Sequence, residues 1–169
     1  MNTSVRHRTQ QDLTPCVRAL AEVHALDGYP LNWPDHPEAW LTPPSLLDAW
    51  VAERHGHIAG HIVLSRSGPG DAGPALWSAR TGASPDATAV INRLFVAPTA
   101  RGHRIGAALM ARATTEARSR GLHPVLDVLA SDTAAAALYE RLGWHHLGTV
   151  TQQWTPTQTV DVHCYAAAP

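Results

Sequence analysis

Six consecutive residues, Arg101-Gly102-His103-Arg104-Ile105-Gly106, put two glycines and two guanidinium groups ahead of a run with helical spacing. That combination suits an anion. The first turn of a helix presents backbone N–H groups without acceptors and the positive end of the aligned peptide dipoles, and phosphate binds there. Gly102 and Gly106 keep side chains out of the approach, and Arg101 and Arg104 add charge and paired donors. His103, Ile105 and Ala107 complete the turn. It is not a triphosphate loop, because no Lys-Ser/Thr follows the glycines. Nor is it a dinucleotide turn, because G-x-G-x-x-G after a first strand is missing. Standing alone, the segment reads equally well as an ordinary strand-to-helix junction with caps.

A second group with chemical capacity is Tyr139, in the stretch Ser131–Trp144 (SDTAAAALYERLGW). Its phenol can protonate a leaving group. By helical spacing alone it reads first as a tyrosine packed between helix and sheet with its hydroxyl on a backbone group. Cys16 and Cys164 lie far apart, neither in a nucleophile motif, and are expected as free buried thiols. The 11 histidines show no H-E-x-x-H or C-x-x-C pattern, and pairs such as His55/His57 and His145/His146 alternate in strand-like text, so no metal is expected.

Hydrophobic spacing and punctuation outline the elements that position these groups. Ser4–Arg8 alternates weakly, as a first strand. Leu13, Val17, Leu20, Ala21 and His24 have helical spacing, with Asp12 or Thr14 near the start and Gly28 as the stop. YPLNWPDHPEAWLTPP reads as a structured loop with a helical turn at Pro37–Trp40, and Ser45–Trp50 as a further turn. Ala49–Glu53 and Ile58–Ser65 read as strands joined at His55-Gly56-His57. SGPGDAGPALWSARTGASPDA reads as a long mobile surface loop, in which Leu76-Trp77 packs down or starts a short strand. Thr88–Val96 reads as a strand closed by Ala97-Pro98. Arg104–Arg120 reads as a helix with an apolar stripe of Ile105, Ala108, Leu109, Ala113 and Ala117, stopped by Gly121. Val125–Ala130 suits a strand buried on both faces, and Thr133–Leu142 a helix capped by Asp132 and stopped by Gly143. Thr149–Trp154 and Val160–Tyr165 suit a terminal antiparallel pair. With no repeats and no linker, residues 1–169 are expected to form one α+β domain, a mixed, mostly antiparallel central sheet flanked by helices.

On these residues the chain resembles a known family. LFVAPTARGHRIGAALM (Leu94–Met110) is similar to the acetyl-CoA-binding motif of the GNAT superfamily of N-acetyltransferases, R/Q-x-x-G-x-G/A after a strand ending in a V-x-P-like turn. ASDTAAAALYERLGW is similar to that superfamily's following block, N-x-x-A-x-x-L-Y-x-x-x-G-F/W. Arg104 stands where the first pattern has its first glycine, and Asp132 where the second has asparagine. The resemblance implies a GNAT fold and direct transfer of acetyl from acetyl-CoA to a primary amine, without a metal or a covalent enzyme intermediate. It implies that pantetheine pairs with the backbone of Leu94, Phe95 and Val96, in a gap where strand Asn92–Val96 parts from strand Val125–Ala130. The diphosphate would sit on the N–H groups of Gly102, His103, Arg104, Ile105, Gly106 and Ala107, with Arg101 and Asp132 beside the coenzyme. An N–H near Phe95 or Val96 would face the thioester oxygen, and Tyr139 would be the general acid.

No base is assigned. Relatives often carry a glutamate on the strand before the motif, where this chain has Asn92 and Arg93, and Glu53, Asp27, Asp35, His36 and Glu22 are only candidates. The acceptor side in such folds falls on the loop holding Tyr29, Trp33 and His36, with Trp40 and Trp154 nearby. Aromatic residues there suit an amine with an apolar body, and acidic residues suit a cation. A small-molecule amine is the leading acceptor. A protein N-terminus or lysine, or a non-catalytic acyl-CoA-binding role, are the alternatives.

Composition narrows the partners. Of the 169 residues, 44% are hydrophobic and 16% charged, and the net charge of −1 gives no generic affinity for nucleic acid. No apolar run approaches the roughly 20 residues of a membrane span. The opening MNTSVRHRTQ lacks the apolar stretch of a signal peptide. A cytoplasmic enzyme is expected, with a homodimer left open.

Overall fold

Residues 2–169 are described by the computed structural model, in two units that divide β4 and α4 between them. The first comprises the residues up to Ser65 with Asn92–Thr115, and the second Arg66–Ile91 with Glu116–Pro169. The elements in chain order are β1 (Thr3–His7), α1 (Leu13–Asp27), α2 (Pro37–Trp40), β2 (Leu46–Arg54), β3 (His57–Arg66), α3 (Ala72–Thr81), β4 (Thr88–Val96), α4 (Ile105–Ser119), β5 (His123–Leu129), α5 (Thr133–Arg141), β6 (His145–Thr155) and β7 (Gln158–Ala166). The strands hydrogen-bond in the order β1-β2-β3-β4-β5-β7-β6, with β4 and β5 parallel. The pairs β1–β2, β2–β3, β5–β7 and β6–β7 are antiparallel. This is the mixed, mostly antiparallel α+β sheet that the sequence implies.

In the first unit, α1 buries Leu13, Cys16, Leu20 and Val23, a three-and-four spacing that lays one face on the sheet. Each such side chain contributes about 2 kcal/mol by leaving water. Its start is pinned by Asp12, whose carboxylate accepts from Thr9 N–H at 2.7 Å and from Arg6 at 2.8 and 3.0 Å. It ends at Gly28, left-handed at φ 75°, whose N–H donates to the His24 carbonyl at 2.9 Å. The β2–β3 turn takes His55 at φ 53° and Gly56 at φ 74°, the double left-handed step of a two-residue hairpin. Against β3, α4 lies close: a Cβ on Gly60 would stand 2.9 Å from Leu109 Cδ1 and 3.0 Å from Ile105 Cγ2. Glycine in β3 therefore seats the helix whose mouth carries the anion turn. The expected turn at Ser45–Trp50 is not found. Leu46 and Asp48 pair with Ser65 and Leu64 across a bulge, so ladder bonding to β3 overrides the local turn signal.

The second unit is centred on Val90, Val125, Leu147, Val162, Cys164 and Ala166. Its largest departure from expectation is α3, which occupies the middle of the segment expected as a mobile loop. Asp127 on β5 accepts from the N–H groups of Ala72 and Gly73 at 2.8 and 2.7 Å, capping the helix from outside its own sequence. Leu76 and Trp77 pack on the core, and Trp77 stacks on His123 at 5.2 Å. The terminal strands are longer than expected, and β6–β7 pairing runs from His145↔Ala166 to Thr155↔Gln158. Among the described residues, no helix is long and apolar enough to cross a membrane.

Candidate active site

The mouth of α4 has the geometry that the residue types suggest. Ala108 N–H reaches back to the Arg104 carbonyl at 3.1 Å, which leaves the N–H groups of Ile105, Gly106 and Ala107 without acceptors inside the helix. No acidic side chain lies in that first turn, so nothing local neutralises the helix dipole. Arg101, Gly102, His103 and Arg104 are exposed. Gly102 is left-handed at φ 85° and so is Arg104 at φ 57°. For an L residue this conformation costs roughly 1–2 kcal/mol. That cost is the physical reason for a glycine in the resembling pattern. Arg104 keeps the backbone shape and carries the strain. Arg101 is tied down rather than pointing freely. Its Nη2 lies 2.7 Å from Asp27 Oδ2 at the end of α1 and donates to the Val96 carbonyl at 3.2 Å. Both partners are about two-fifths exposed, so the pair orients more than it stabilises.

Just before this turn, β4 contains a second left-handed side-chain-bearing residue, Arg93 at φ 55°. Its carbonyl accepts from His61 Nδ1–H at 2.9 Å. His61 Nε2 accepts from Arg8 Nη1 at 2.9 Å, and Arg8 also donates to the Leu41 carbonyl and Thr42 Oγ1, each at 2.7 Å. An arginine can only donate, so the lone pair is on Nε2 and the proton on Nδ1. His61 is fully buried and stacks on Phe95 with centroids 5.2 Å apart. Burial first, then the charges of Arg8 and Arg93, push its pKa down to about 3 against the pull of the backbone bond, so the ring is neutral. Sequence reasoning missed both His61 and Arg8. The available signal was a lone histidine inside the apolar run Ile58–Leu64; Arg8 gave none.

The aromatic loop is partly gathered. Arg93 Nε donates to the Trp40 carbonyl at 3.0 Å, and its guanidinium lies 4.0 Å from the Trp40 ring centroid, a cation–π contact. Tyr29 meets Trp40 edge-on at 6.2 Å. Trp33 instead leans on His24 of α1 at 5.3 Å. His36 is exposed, its carbonyl accepting the Trp40 N–H at 2.9 Å. Of the carboxylates considered as bases, Asp27 is engaged by Arg101, and Glu53 by Arg6 at 3.2 Å. Neither cysteine offers a nucleophile: burial pushes the thiols of Cys16 and Cys164 up to about 12.

In the second unit, α5 carries Tyr139, only 6% exposed. Its ring is flanked by Trp144 at 6.3 Å and Tyr165 at 5.8 Å. Tyr165 donates to Glu140 Oε2 at 2.9 Å, and burial together with that carboxylate pushes its pKa up to about 12, so it stays protonated. Asp132 caps α5, its Oδ1 accepting the Ala135 N–H at 3.1 Å. Trp154 lies near the end of β6, its Nε1 donating to Gln152 Oε1 at 2.9 Å.

Comparison with known proteins identifies this architecture. Over 98% of its length the chain superimposes on 98% of an N-acetyltransferase from Staphylococcus aureus, with a TM-score of 0.72 at 22% identity. It matches a ribosomal-protein-alanine N-acetyltransferase from Brucella melitensis with a TM-score of 0.70 at 23% identity, covering 96% and 98% of the two chains. NAA60 of Arabidopsis thaliana, solved in complex with acetyl-CoA, matches with a TM-score of 0.72 at 16% identity over 98% and 97%. At these identities the likeness is one of fold. No curated protein sequence matches the chain. The sequence profile of the Acetyltransferase (GNAT) family matches residues 13–144, which include the α4 mouth and Tyr139, so this chain belongs to the GNAT family of acyl-CoA-dependent N-acetyltransferases.

Proposed function

We propose that the protein, acting as one catalytic domain over residues 1–169, transfers acetyl from acetyl-CoA to the primary amine of a small molecule. The observation that carries the coenzyme half is the α4 mouth. Three N–H groups without helical acceptors, a left-handed Gly102 and no first-turn carboxylate fit a diphosphate. Acetyl-CoA supplies an activated acyl thioester. Ile105, Gly106 and Ala107 hold the diphosphate through their N–H groups, with Gly102, His103 and Arg104 beside it. Leu94, Phe95 and Val96 pair their backbone with the pantetheine arm. The N–H of Phe95 or Val96 donates to the thioester oxygen as charge gathers there. As the amine nitrogen bonds to the acyl carbon and the carbon–sulfur bond breaks, the Tyr139 hydroxyl gives its proton to the departing sulfur. The phenolate is reprotonated by the proton that the amine sheds, carried through solvent. Asp132 caps α5 and so steadies the helix that bears Tyr139.

The acceptor half rests on Arg93, which pins Trp40 and, through it, Tyr29 beside β4. That arrangement supports an acceptor with an apolar or aromatic body, with Trp33 and His36 at the outer part of the loop. A cytoplasmic setting accords with two free, buried cysteines. The test is thiol release from acetyl-CoA with a panel of small amines and a panel of peptides. Small aromatic amines are expected to give the highest kcat/KM. Faster turnover of peptide N-termini or lysines would replace this acceptor class, and no thiol release with any amine would leave coenzyme binding without transfer.

A further inference from the structure

His61 has no part in the chemistry above, yet the protein spends a buried polar residue on it. Its ring has no exposed surface, and both nitrogens are used: Nδ1–H to the Arg93 carbonyl and Nε2 from Arg8, each at 2.9 Å. One ring face lies on Phe95, with an interplanar angle of 19°. Its partners therefore bracket residues 93–95, where β4 takes its left-handed step at Arg93. Such a step inside a strand re-aims the peptide groups that follow, as at a β-bulge. It persists only where the surroundings over-determine it. From the core side, the bond from His61 to the Arg93 carbonyl supplies that constraint. From the loop side, Trp40 holds the Arg93 side chain.

We infer that His61, itself held by Arg8, is a positioning residue for acetyl transfer: it locks the left-handed Arg93 step and so fixes the directions of the Leu94 and Phe95 peptide groups that receive the thioester. The inference rests on the acetyl-transfer reading. A neutral histidine suits the task because it is rigid, accepts at one end and donates at the other. The chain of bonds from Arg8 through His61 to Arg93 thus has a single direction. A phenylalanine would fill the same space and stack on Phe95 but carry neither bond. Packing alone gives no reason for the two polar partners.

The test compares wild type with His61→Phe, Arg8→Met, Arg93→Gly and the double variants His61→Phe/Arg8→Met and His61→Phe/Arg93→Gly. Acetyl-CoA affinity, kcat, acceptor KM, thermal melting and hydrogen exchange of the 94–96 amides are measured for each. His61→Phe is expected to keep coenzyme affinity within about threefold while kcat falls about 10- to 100-fold, the scale of a misdirected oxyanion donor. Exchange at 94–96 should quicken. Glycine adopts a left-handed step without support, so Arg93→Gly should return exchange at 94–96 toward wild type in the His61→Phe background and recover about tenfold of the lost kcat at saturating acceptor, while the acceptor KM rises because Trp40 loses its Arg93 partner. Arg8→Met should act in the same direction, and its effect should not add to that of His61→Phe. Should His61→Phe fail to fold, nitrogen NMR on the wild type decides: the proton must reside on Nδ1 from pH 5 to 8, and an Nε2–H tautomer overturns the inference. Unchanged kcat in His61→Phe, or exchange at 94–96 that stays quickened in the His61→Phe/Arg93→Gly variant, also overturns it. Wild-type protein that transfers acetyl to no amine removes the functional reading, whereas active wild type with active His61→Phe removes only the role of His61.

Discussion

In the first unit, left-handed backbone falls on three residues with side chains, His55, Arg93 and Arg104, as well as on Gly28, Gly56 and Gly102. In the second unit, every positive-φ position, at Gly82, Gly121, Gly143 and Gly148, is a glycine. The second unit is held by regular means: long ladders between β5, β7 and β6, and helices capped by Asp127 and Asp132. The first holds unfavourable backbone in place with side chains, Arg8 and His61 behind Arg93 and Trp40 in front of it. Strained residues persist where neighbours over-determine them and gather at functional sites. Two of the three lie in or beside the segments proposed to touch the coenzyme. The segments proposed to handle the coenzyme thus take a backbone shape that the local sequence does not favour by itself.

Acid should break this difference most strongly. His61 has an ordinary value of 6.5 unfolded and about 3 folded. Between those values the unfolded chain holds the extra proton, so stability is full above pH 6.5 and falls as pH drops toward 3. The linked loss is roughly 4–5 kcal/mol. Denaturant melts from pH 7 to 3 should show it, and His61→Phe should flatten the slope. Arg8, Arg93 and Asp12 are the charged groups acting on this ring. Next in size, Gly106→Asp puts a carboxylate at the α4 mouth and should weaken acetyl-CoA binding about 100- to 1000-fold by calorimetry, or ~3–4 kcal/mol. Tyr139→Phe tests the regular unit. It should lower kcat on the order of 100-fold with coenzyme affinity unchanged; wild-type rates across the pH range would take the acid role from Tyr139. The smallest pair of effects sharpens the contrast itself. Arg104→Gly should relieve strain and add about 1 kcal/mol, whereas Gly121→Ala should cost about as much. In scanning calorimetry that is a shift of about 2–4 °C in opposite directions.

What was legible in the sequence follows from how local each signal is. The α4 mouth lies within Arg101–Ala107, and β4, α1 and the Asp132 cap announce themselves through adjacent residues, so their bounds agree closely with the structure. By contrast, α3 depends on a cap 55 residues away, from Asp127 to Ala72, and its Gly, Pro and Ser text reads as loop without it. The start of β6, ahead of the expected Thr149–Trp154, contains Gly148 and a bulge between His146 and Gly148, so its local text does not mark it as part of the same strand. The bonds linking His61 to Arg8 and to Arg93 span 53 and 32 residues and exist only once the sheet has formed. Local geometry is legible where adjacent residues set it, and hidden where distant side chains shape the backbone.

Coenzyme binding as proposed rests on the backbone amides of the α4 mouth. Titration of nitrogen-labelled protein with acetyl-CoA, followed amide by amide, tests this most directly. The largest shifts are expected at Ile105, Gly106 and Ala107, with Leu94, Phe95 and Val96 following the same saturation curve. Saturable binding that leaves residues 105–107 unmoved would contradict it.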